Sequence, residues 1–235
     1  MEMKKTLGAF MLLWAATAGL SAQTITQQFA AISAGAAQVS DMDLPNPTAE
    51  GSVLIAMPMQ LSPDVKIVSI TDNAPDGGNT YKPVPAAGSF CAKRALEIWY
   101  CEKCKGGVTE LKFHLSGHVR ASINGFMEVT GLAVPAALDG DGVSVSDGVA
   151  SSAGALVGAS LKTRAKDFVI ARYFADPPLP TGAAPAMWAY KPSYVYGLNL
   201  APGAYQPMLT GGKAGGGFCM SMAAFKLADS SPGSK

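Results

Sequence analysis

The chain has 235 residues, a formal net charge of +1 and only 15% charged residues, below the roughly 25% of average globular proteins. A nearly neutral chain lacks the positive field that attracts nucleic acid or anionic membranes, so we predict neither as a partner. The length suits one large domain with a sizeable core, and the abundance of Gly (26) and Pro (16) indicates many turns between short elements.

Residues 1–22 have the pattern of a secretory signal peptide. Lys4 and Lys5 precede an apolar run over residues 7–19, and the small residues that end at Ala22 form a cleavage site. No later stretch reaches the roughly 18 apolar residues of a membrane-spanning helix. We therefore predict export, with cleavage after Ala22, to a secreted, extracellular or cell-surface location.

The rest of the chain shows short apolar or alternating segments between turn residues, and almost no helical periodicity. The predicted strands lie at residues 24–32, 51–59, 65–72, 80–84, 94–102, 109–117, 122–132, 155–174, 187–200 and 216–228. We expect loops after residue 32 and over residues 138–152, and a turn at Ser116-Gly117. This spacing predicts an all-β fold: one antiparallel, jelly-roll-like β-sandwich over residues 23–228, with a disordered tail at 229–235.

The order of motifs along the mature chain is distinctive. It runs AEGSVLIAM, VSITDNAPDGGNTYKPV, LEIWYCEKCKGGVTELKFHLSG, FMEVTGL, KDFVIARYF and CMSMAAFKLA. This order resembles an uncharacterised bacterial extracellular β-sandwich (jelly-roll/Ig-like) module of secreted proteins, over about residues 24–228. The resemblance implies the sandwich fold, but that module has no established enzymatic activity or agreed ligand. The four cysteines and the long NAPDGGN turn of this chain depart from the module's pattern.

The four cysteines are Cys91, Cys101, Cys104 and Cys219. An even number in an exported chain indicates disulfides, and four cysteines allow three pairings. The ends of a four-residue turn lie within about 7 Å, so the geometry favours Cys101 with Cys104. That choice leaves Cys91 to pair with Cys219.

Two chemical alternatives compete with this disulfide interpretation. A redox Cys-x-x-Cys pair normally opens a helix, whereas Cys101 and Cys104 follow a predicted strand and precede a Gly-Gly turn. A four-cysteine zinc site would need all four thiols reduced and convergent, and export works against that. Neither a Gly-x-Ser-x-Gly nor a His-Glu-x-x-His motif is present. We therefore predict a protein that is not an enzyme and needs no cofactor, with calcium as the one alternative.

Carboxylates gather among glycines in two turns, residues 72–79 and 138–147. Oxygen ligands on turn backbone are what calcium requires, and Asp139 and Asp141 are the better candidates for a calcium site. Neither turn has the full EF-hand spacing, and Asp and Asn also stabilise turns without metal.

Aromatic residues concentrate in one segment before the last strand, at Trp188, Tyr190, Tyr194 and Tyr196. A row of exposed rings would stack on sugar faces, because an aromatic side chain offers a flat apolar surface with a polar tip. We therefore predict a binding or adhesion module that contacts glycan or another surface polymer through these residues. The alternative is a structural or self-assembling extracellular protein whose apolar edges pair with copies of itself.

Overall fold

The chain folds into layered β-sheets. The computed structural model describes residues 23–91, 94–176, 179, 189–191 and 193–228, and only the main chain at 34–36 and 189–191. Every regular element in this part of the chain is a β-strand, and all the strand pairs are antiparallel. The predicted antiparallel β-sandwich is confirmed.

Two large sheets contain most of the strands. The first comprises β1 (Thr24–Asp43), β2 (Val53–Gln60), β3 (Ile67–Asp72), β4 (Lys82–Cys91), β5 (Arg94–Cys101) and β6 (Glu110–Thr130). Its strand order is β1-β6-β2-β5-β4, and β3 pairs with the first part of β6.

The second sheet comprises β7 (Val143–Val149), β10 (Asp167–Ala175), β11 (Ala189–Lys191), β12 (Tyr194–Leu200) and β15 (Gly217–Lys226), in the order β11-β12-β10-β15-β7. Four two-residue strands form two small ladders beside it: β8 (Leu156–Val157) with β14 (Met208–Leu209), and β9 (Leu161–Lys162) with β13 (Ala204–Tyr205).

The central core lies between the two sheets. Alternate residues of β2, such as Ile55 and Met57, share one cluster with Phe168 and Ile170 of β10 and with Phe225 of β15. Because successive strand residues point to opposite faces, the intervening residues of β2 and β10 must be covered from outside. All eight residues of β2 are buried, so further layers cover this sandwich.

The first of these layers forms because β1 and β6 double back together. Ser33 of β1 pairs with Ser122 of β6, while Ser40 pairs with Phe113. Even so, the Ser40 and Ser122 hydroxyl oxygens are only 2.6 Å apart. We call residues 34–39 of β1 and 115–121 of β6 the fold-back.

Beyond the fold-back, the last residues of β1, the first residues of β6 and the whole of β3 form a layer over the outer face of β2 and β5. Leu54 and Trp99 of the covered strands share a second core with Ile70, Leu111 and Phe113 of the covering layer. A third core lies on the outer face of the second sheet, where Val169 and Ala171 pack with Leu156, Leu161 and Leu209 from the small ladders. The central strands β2 and β10 are therefore buried on both faces.

One side of the sandwich is closed, where edge strand β4 meets edge strand β7. The Ala86 amide donates to the Asp141 carbonyl over 2.6 Å, and the Phe90 amide donates to the Ser146 hydroxyl over 3.0 Å. Nearby, the buried hydroxyls of Ser89 and Ser221 lie 2.8 Å apart. The opposite side carries β1 and β11; there the Asn199 amide and the Tyr194 hydroxyl of β12 donate to the side chains of Gln23 and Gln28, but no strand ladder joins the two sheets among the described residues.

Two expected breaks in the first sheet are wrong. The loop predicted after residue 32 is part of β1, which continues to Asp43 with two register shifts. The Ser116-Gly117 step lies where β6 bends in the fold-back, but the strand continues through it and does not end in a turn there. Each strand provides the other with a partner along its whole length, and this pairing overrides the weak strand propensity of Ala, Gly and Ser.

Two other boundaries also differ. The loop predicted over residues 138–152 contains β7, whose Val-Ser-Val-Ser alternation has the period of a strand. Strand β4 extends to Cys91, well past the predicted residue 84, because an edge strand tolerates Pro83 and Pro85. The predicted signal peptide (1–22) and tail (229–235) lie outside the described residues.

Candidate functional site

The four cysteines form two separate disulfide-bonded pairs. Cys91 is joined to Cys219 and Cys101 to Cys104, with Cα–Cα distances of 5.8 and 6.0 Å. This is the pairing that the turn geometry favoured. The first pair lies in a small cluster beside β4 and β15, and the second lies in the core beneath the fold-back layer. The sulfurs are therefore two staples in different layers, without a shared centre.

The chain just after the Cys101–Cys104 turn is hydrogen-bonded to the acidic turn at residues 72–79. Asp72 accepts hydrogen bonds from the main-chain amides of Ala74 and Asn79 and from the Tyr81 hydroxyl (2.8 Å). Asn79 in turn accepts a 2.7 Å hydrogen bond from the Lys105 amide. The polar groups of this turn are thus used to hold one loop against another.

Asp139 and Asp141, the predicted calcium ligands, have different surroundings. Asp139 is buried, and its Oδ2 accepts a 2.7 Å hydrogen bond from the Arg164 amide. Asp141 is exposed, and its main-chain carbonyl oxygen accepts a hydrogen bond from the Ala86 amide of β4. Within the described residues there is no group of three or more His, Cys, Asp or Glu side chains placed to hold a metal ion. Calcium at this turn stays a prediction.

Asp139 lies beside a second buried carboxyl group, that of Asp167. Burial is the main cause that raises the pKa of Asp167 to about 6. Thr163 and Lys226 oppose this change, whereas the Asp139 carboxylate adds to it. Asp167 therefore retains its proton into the mildly acidic range.

The aromatic segment is not an exposed platform at its two described side chains. Tyr194 and Tyr196 are 4% and 9% exposed and belong to the core between the sheets. The Tyr194 hydroxyl donates to Gln28 of β1 over 3.1 Å. The prediction that these two rings stack on glycan is wrong, because both face inward from β12. Trp188 and the side chain of Tyr190 lie outside the described residues.

A fully buried arginine crosses the sandwich near Tyr194. Arg172 of β10 donates from Nη1 to the Ser193 hydroxyl (2.6 Å) and from Nη2 to the Ile123 carbonyl (2.9 Å). Burial lowers the pKa of Arg172 to about 10. Gly125 makes room for the guanidinium, because a Cβ at that position would lie 3.3 Å from Nη1. Arg172 thus links the two sheets.

One edge of the first sheet, formed by β1, differs from the other sheet edges of the fold. Strand β1 is the outermost strand of the first sheet, and β6 is its only partner in the described part of the chain. Over residues 25–33, the main-chain groups on its other side have no strand partner within the described part of the chain. An unpaired edge of this kind is a template for another strand.

The sequence of β1 does not protect this edge. Natural edge strands are protected by Lys, Pro, shortness or a covering element. Strand β1 has 20 residues with no Lys, Arg or Pro, and its only charges, Asp41 and Asp43, lie beyond the fold-back. Ile32 is 73% exposed beside the open edge, and Ala30 is also exposed.

The other edges differ from β1. Strand β4 carries Pro83 and Pro85 and a register shift, and it is covered by β7. Strand β3 has only six residues and β11 only three. The candidate functional site is therefore the edge of β1 over residues 24–33, which we call the open edge.

Comparisons with known proteins do not assign the chain. It matches no family model, no curated protein and no solved structure. The resemblance to a bacterial extracellular module stays a prediction. Among the described residues, no helix combines the length and apolar character needed to cross a bilayer.

Residue patterns alone missed the features that define this surface. The length of β1 was hidden by the Ala-Gly run at residues 34–37, which has no strand periodicity. The lack of Lys, Arg and Pro over residues 24–40 was visible in the sequence. That signal identifies an unprotected edge only once the strand order places β1 outermost.

Proposed function

We propose that this chain is an exported, non-enzymatic β-sandwich protein of the cell exterior that assembles with copies of itself through the open edge. Export is supported by the character of residues 1–22 and by the two disulfide-bonded pairs. The observation that carries the proposal is the long, uncharged, unprotected β1 at the edge of the first sheet.

A second copy is the occupant that best fits this edge. Antiparallel pairing of residues 24–33 with the same residues of another molecule places only uncharged side chains opposite one another. Such pairing about a two-fold axis is self-complementary, as a symmetric dimer requires. It forms about one main-chain hydrogen bond per paired residue and joins two first sheets into one continuous sheet.

The charge of the whole molecule also favours association between copies. The full chain carries +1, and loss of Glu2, Lys4 and Lys5 with residues 1–22 leaves it neutral. Molecules near zero net charge repel one another weakly and tend to associate. Pairing would also remove the exposed Ile32 side chain from water.

Sedimentation velocity on the mature chain tests this proposal. We expect the wild type to shift from monomer to dimer or larger species between about 1 µM and about 500 µM. Ile32→Lys should keep it monomeric, because a lysine on an edge strand opposes strand addition. Val149→Lys is the matched control, since Val149 is 68% exposed on β7, the edge strand of the other sheet. A wild type that stays monomeric throughout, or equal effects of the two lysines, would contradict the proposal.

A further inference from the structure

The fold-back borders a partly open cavity that the assembly role does not use. It has a volume of about 290 Å³ and lies between the two halves of β1 and the bent part of β6. This volume is close to the lower end of the range for small-molecule sites, about 300 Å³. We call it the fold-back cavity.

The lining of the fold-back cavity is half polar in character. Three serines, Ser33, Ser40 and Ser122, contribute hydroxyl groups, and Val39 and Val119 contribute apolar surface. Asp41 is the single acidic residue of the lining, and none of the described lining residues is Lys, Arg or His. The chemistry fits an uncharged ligand that has both hydrogen-bonding groups and an apolar face.

The serine hydroxyls retain hydrogen-bonding capacity. Ser40 and Ser122 share one hydrogen bond of 2.6 Å, which uses one of their two hydroxyl protons. Asn124 Nδ2 donates a 2.8 Å hydrogen bond to Ser40 Oγ. Because this amide nitrogen is a donor, it is not an acceptor for the remaining hydroxyl proton of the serine pair. One Ser40 or Ser122 hydroxyl is thereby left to donate towards a ligand.

Buried amide groups behind the serines also lack partners. Asn124 Oδ1 has no hydrogen-bond partner among the described residues, and neither Oε1 nor Nε2 of Gln60 has one. Gln60 pairs directly with Ser122 across β2 and β6, so the two side chains share a face. Gln60 is 1% exposed and Asn124 fully buried. Neither side chain lines the cavity itself. Because buried polar groups are nearly always satisfied, these atoms indicate that small polar molecules such as water enter the region behind the serines.

We propose that the fold-back cavity binds one saccharide ring. A saccharide presents hydroxyls that donate and accept, which suit the serines, and C–H faces, which suit Val39 and Val119. It carries no charge, in agreement with a lining without basic side chains. This inference goes beyond the assembly proposal and does not depend on it, because the cavity lies in the bend and shares only Ser33 with the open edge.

Saturation-transfer NMR tests the proposal with glucose, galactose, mannose and N-acetylglucosamine, each as the free sugar and as a short oligosaccharide. We expect at least one sugar to show saturation transfer, and the same sugar to shift the amide resonances of Ser40 and Ser122 in an amide correlation spectrum of the labelled protein. Tighter binding of the oligosaccharide would show that the natural ligand is the end of a glycan chain. Equal binding of both forms would show that it is a free sugar.

Ser40→Ala and Ser122→Ala should each weaken binding about tenfold, because each removes a hydrogen-bonding hydroxyl from the lining. Ser89→Ala is the matched control: it also removes one partner of a buried serine pair, at the closed side of the sandwich. Ala37→Leu, which narrows the cavity and leaves its hydrogen bonds intact, should also weaken binding. The proposal is overturned if no sugar binds up to about 10 mM, so that water alone fills the cavity, or if Ser89→Ala weakens binding as much as Ser122→Ala.

Discussion

The Ser33 hydroxyl donates a 3.0 Å hydrogen bond to the main-chain carbonyl of Asp41, eight residues further along the same strand. Eight residues of extended strand span about 26 Å, so β1 must reverse its direction between these two residues. This reversal covers the outer face of the first sheet, creates the fold-back cavity and leaves β1 as an edge strand on both sides of the bend.

The two disulfides should contribute very different amounts to stability. The Cys91–Cys219 bond closes a separation of 128 residues, whereas Cys101–Cys104 closes a separation of three. The loop-entropy relation assigns about 5 kcal/mol to the first and about 2 kcal/mol to the second. Urea unfolding of the double variants Cys91→Ala/Cys219→Ala and Cys101→Ala/Cys104→Ala measures both. Equal losses in the free energy of unfolding would show that chain entropy is not the main source of the effect.

Gly125→Ala should destabilise the sandwich by about 1–3 kcal/mol, because the core has no space for a methyl group there. The new Cβ would lie 3.2 Å from Met57 Cβ and 3.3 Å from Arg172 Nη1. Gly217→Ala is the control, since nothing lies within 4 Å of a Cβ at that position. Its effect should stay within about 0.5 kcal/mol. Chemical denaturation of both variants measures their free energies of unfolding. If Gly125→Ala leaves this free energy unchanged, Arg172 is not held where the structure places it.

Asp167 should make stability depend on pH in the mildly acidic range. The unfolded chain ionises this carboxyl near its ordinary pKa of 3.8, whereas the folded protein retains the proton until about pH 6. The folded state therefore loses stability as the pH rises from about 4 to about 6, and the full penalty is present above that range.

Asp167→Asn removes the ionisation, so its free energy of unfolding relative to wild type should increase between about pH 4 and about pH 6.5. Asp64→Asn is the control, because Asp64 is exposed. Urea titrations across this range provide the measurement. A difference between Asp167→Asn and wild type that is independent of pH would refute the assignment of a raised pKa to this carboxyl.

The sequence predicted the fold class because local patterns report how strands are buried. The apolar run at residues 51–59 appears as the fully buried β2, and the alternation at residues 109–117 appears as the first part of β6, in which alternate residues are buried. The Ser116-Gly117 step was misread because its role is tertiary. Ser116 exchanges hydrogen bonds with Lys66, and Gly117 leaves space for Val65, contacts that no local pattern reveals.

The candidate sites were harder to predict from sequence than the fold. The aromatic residues Tyr194 and Tyr196 were visible, but aromatic composition does not tell which way a ring faces when both faces of a sheet are buried. Ser40 and Ser122 are separated by 82 residues and meet only because two strands bend together. Serine is common on strand surfaces, so neither residue carried a signal of its own.

The most direct test of the assembly proposal is amide hydrogen exchange of residues 24–33, measured at about 5 µM and at about 500 µM protein. In the monomer, the amides of residues 25–33 that point away from β6 have no partner strand among the described residues. The proposal predicts that these amides become protected at the higher concentration, while those of β3, a short edge strand, do not change. Equal exchange of residues 24–33 at both concentrations would contradict assembly through the open edge.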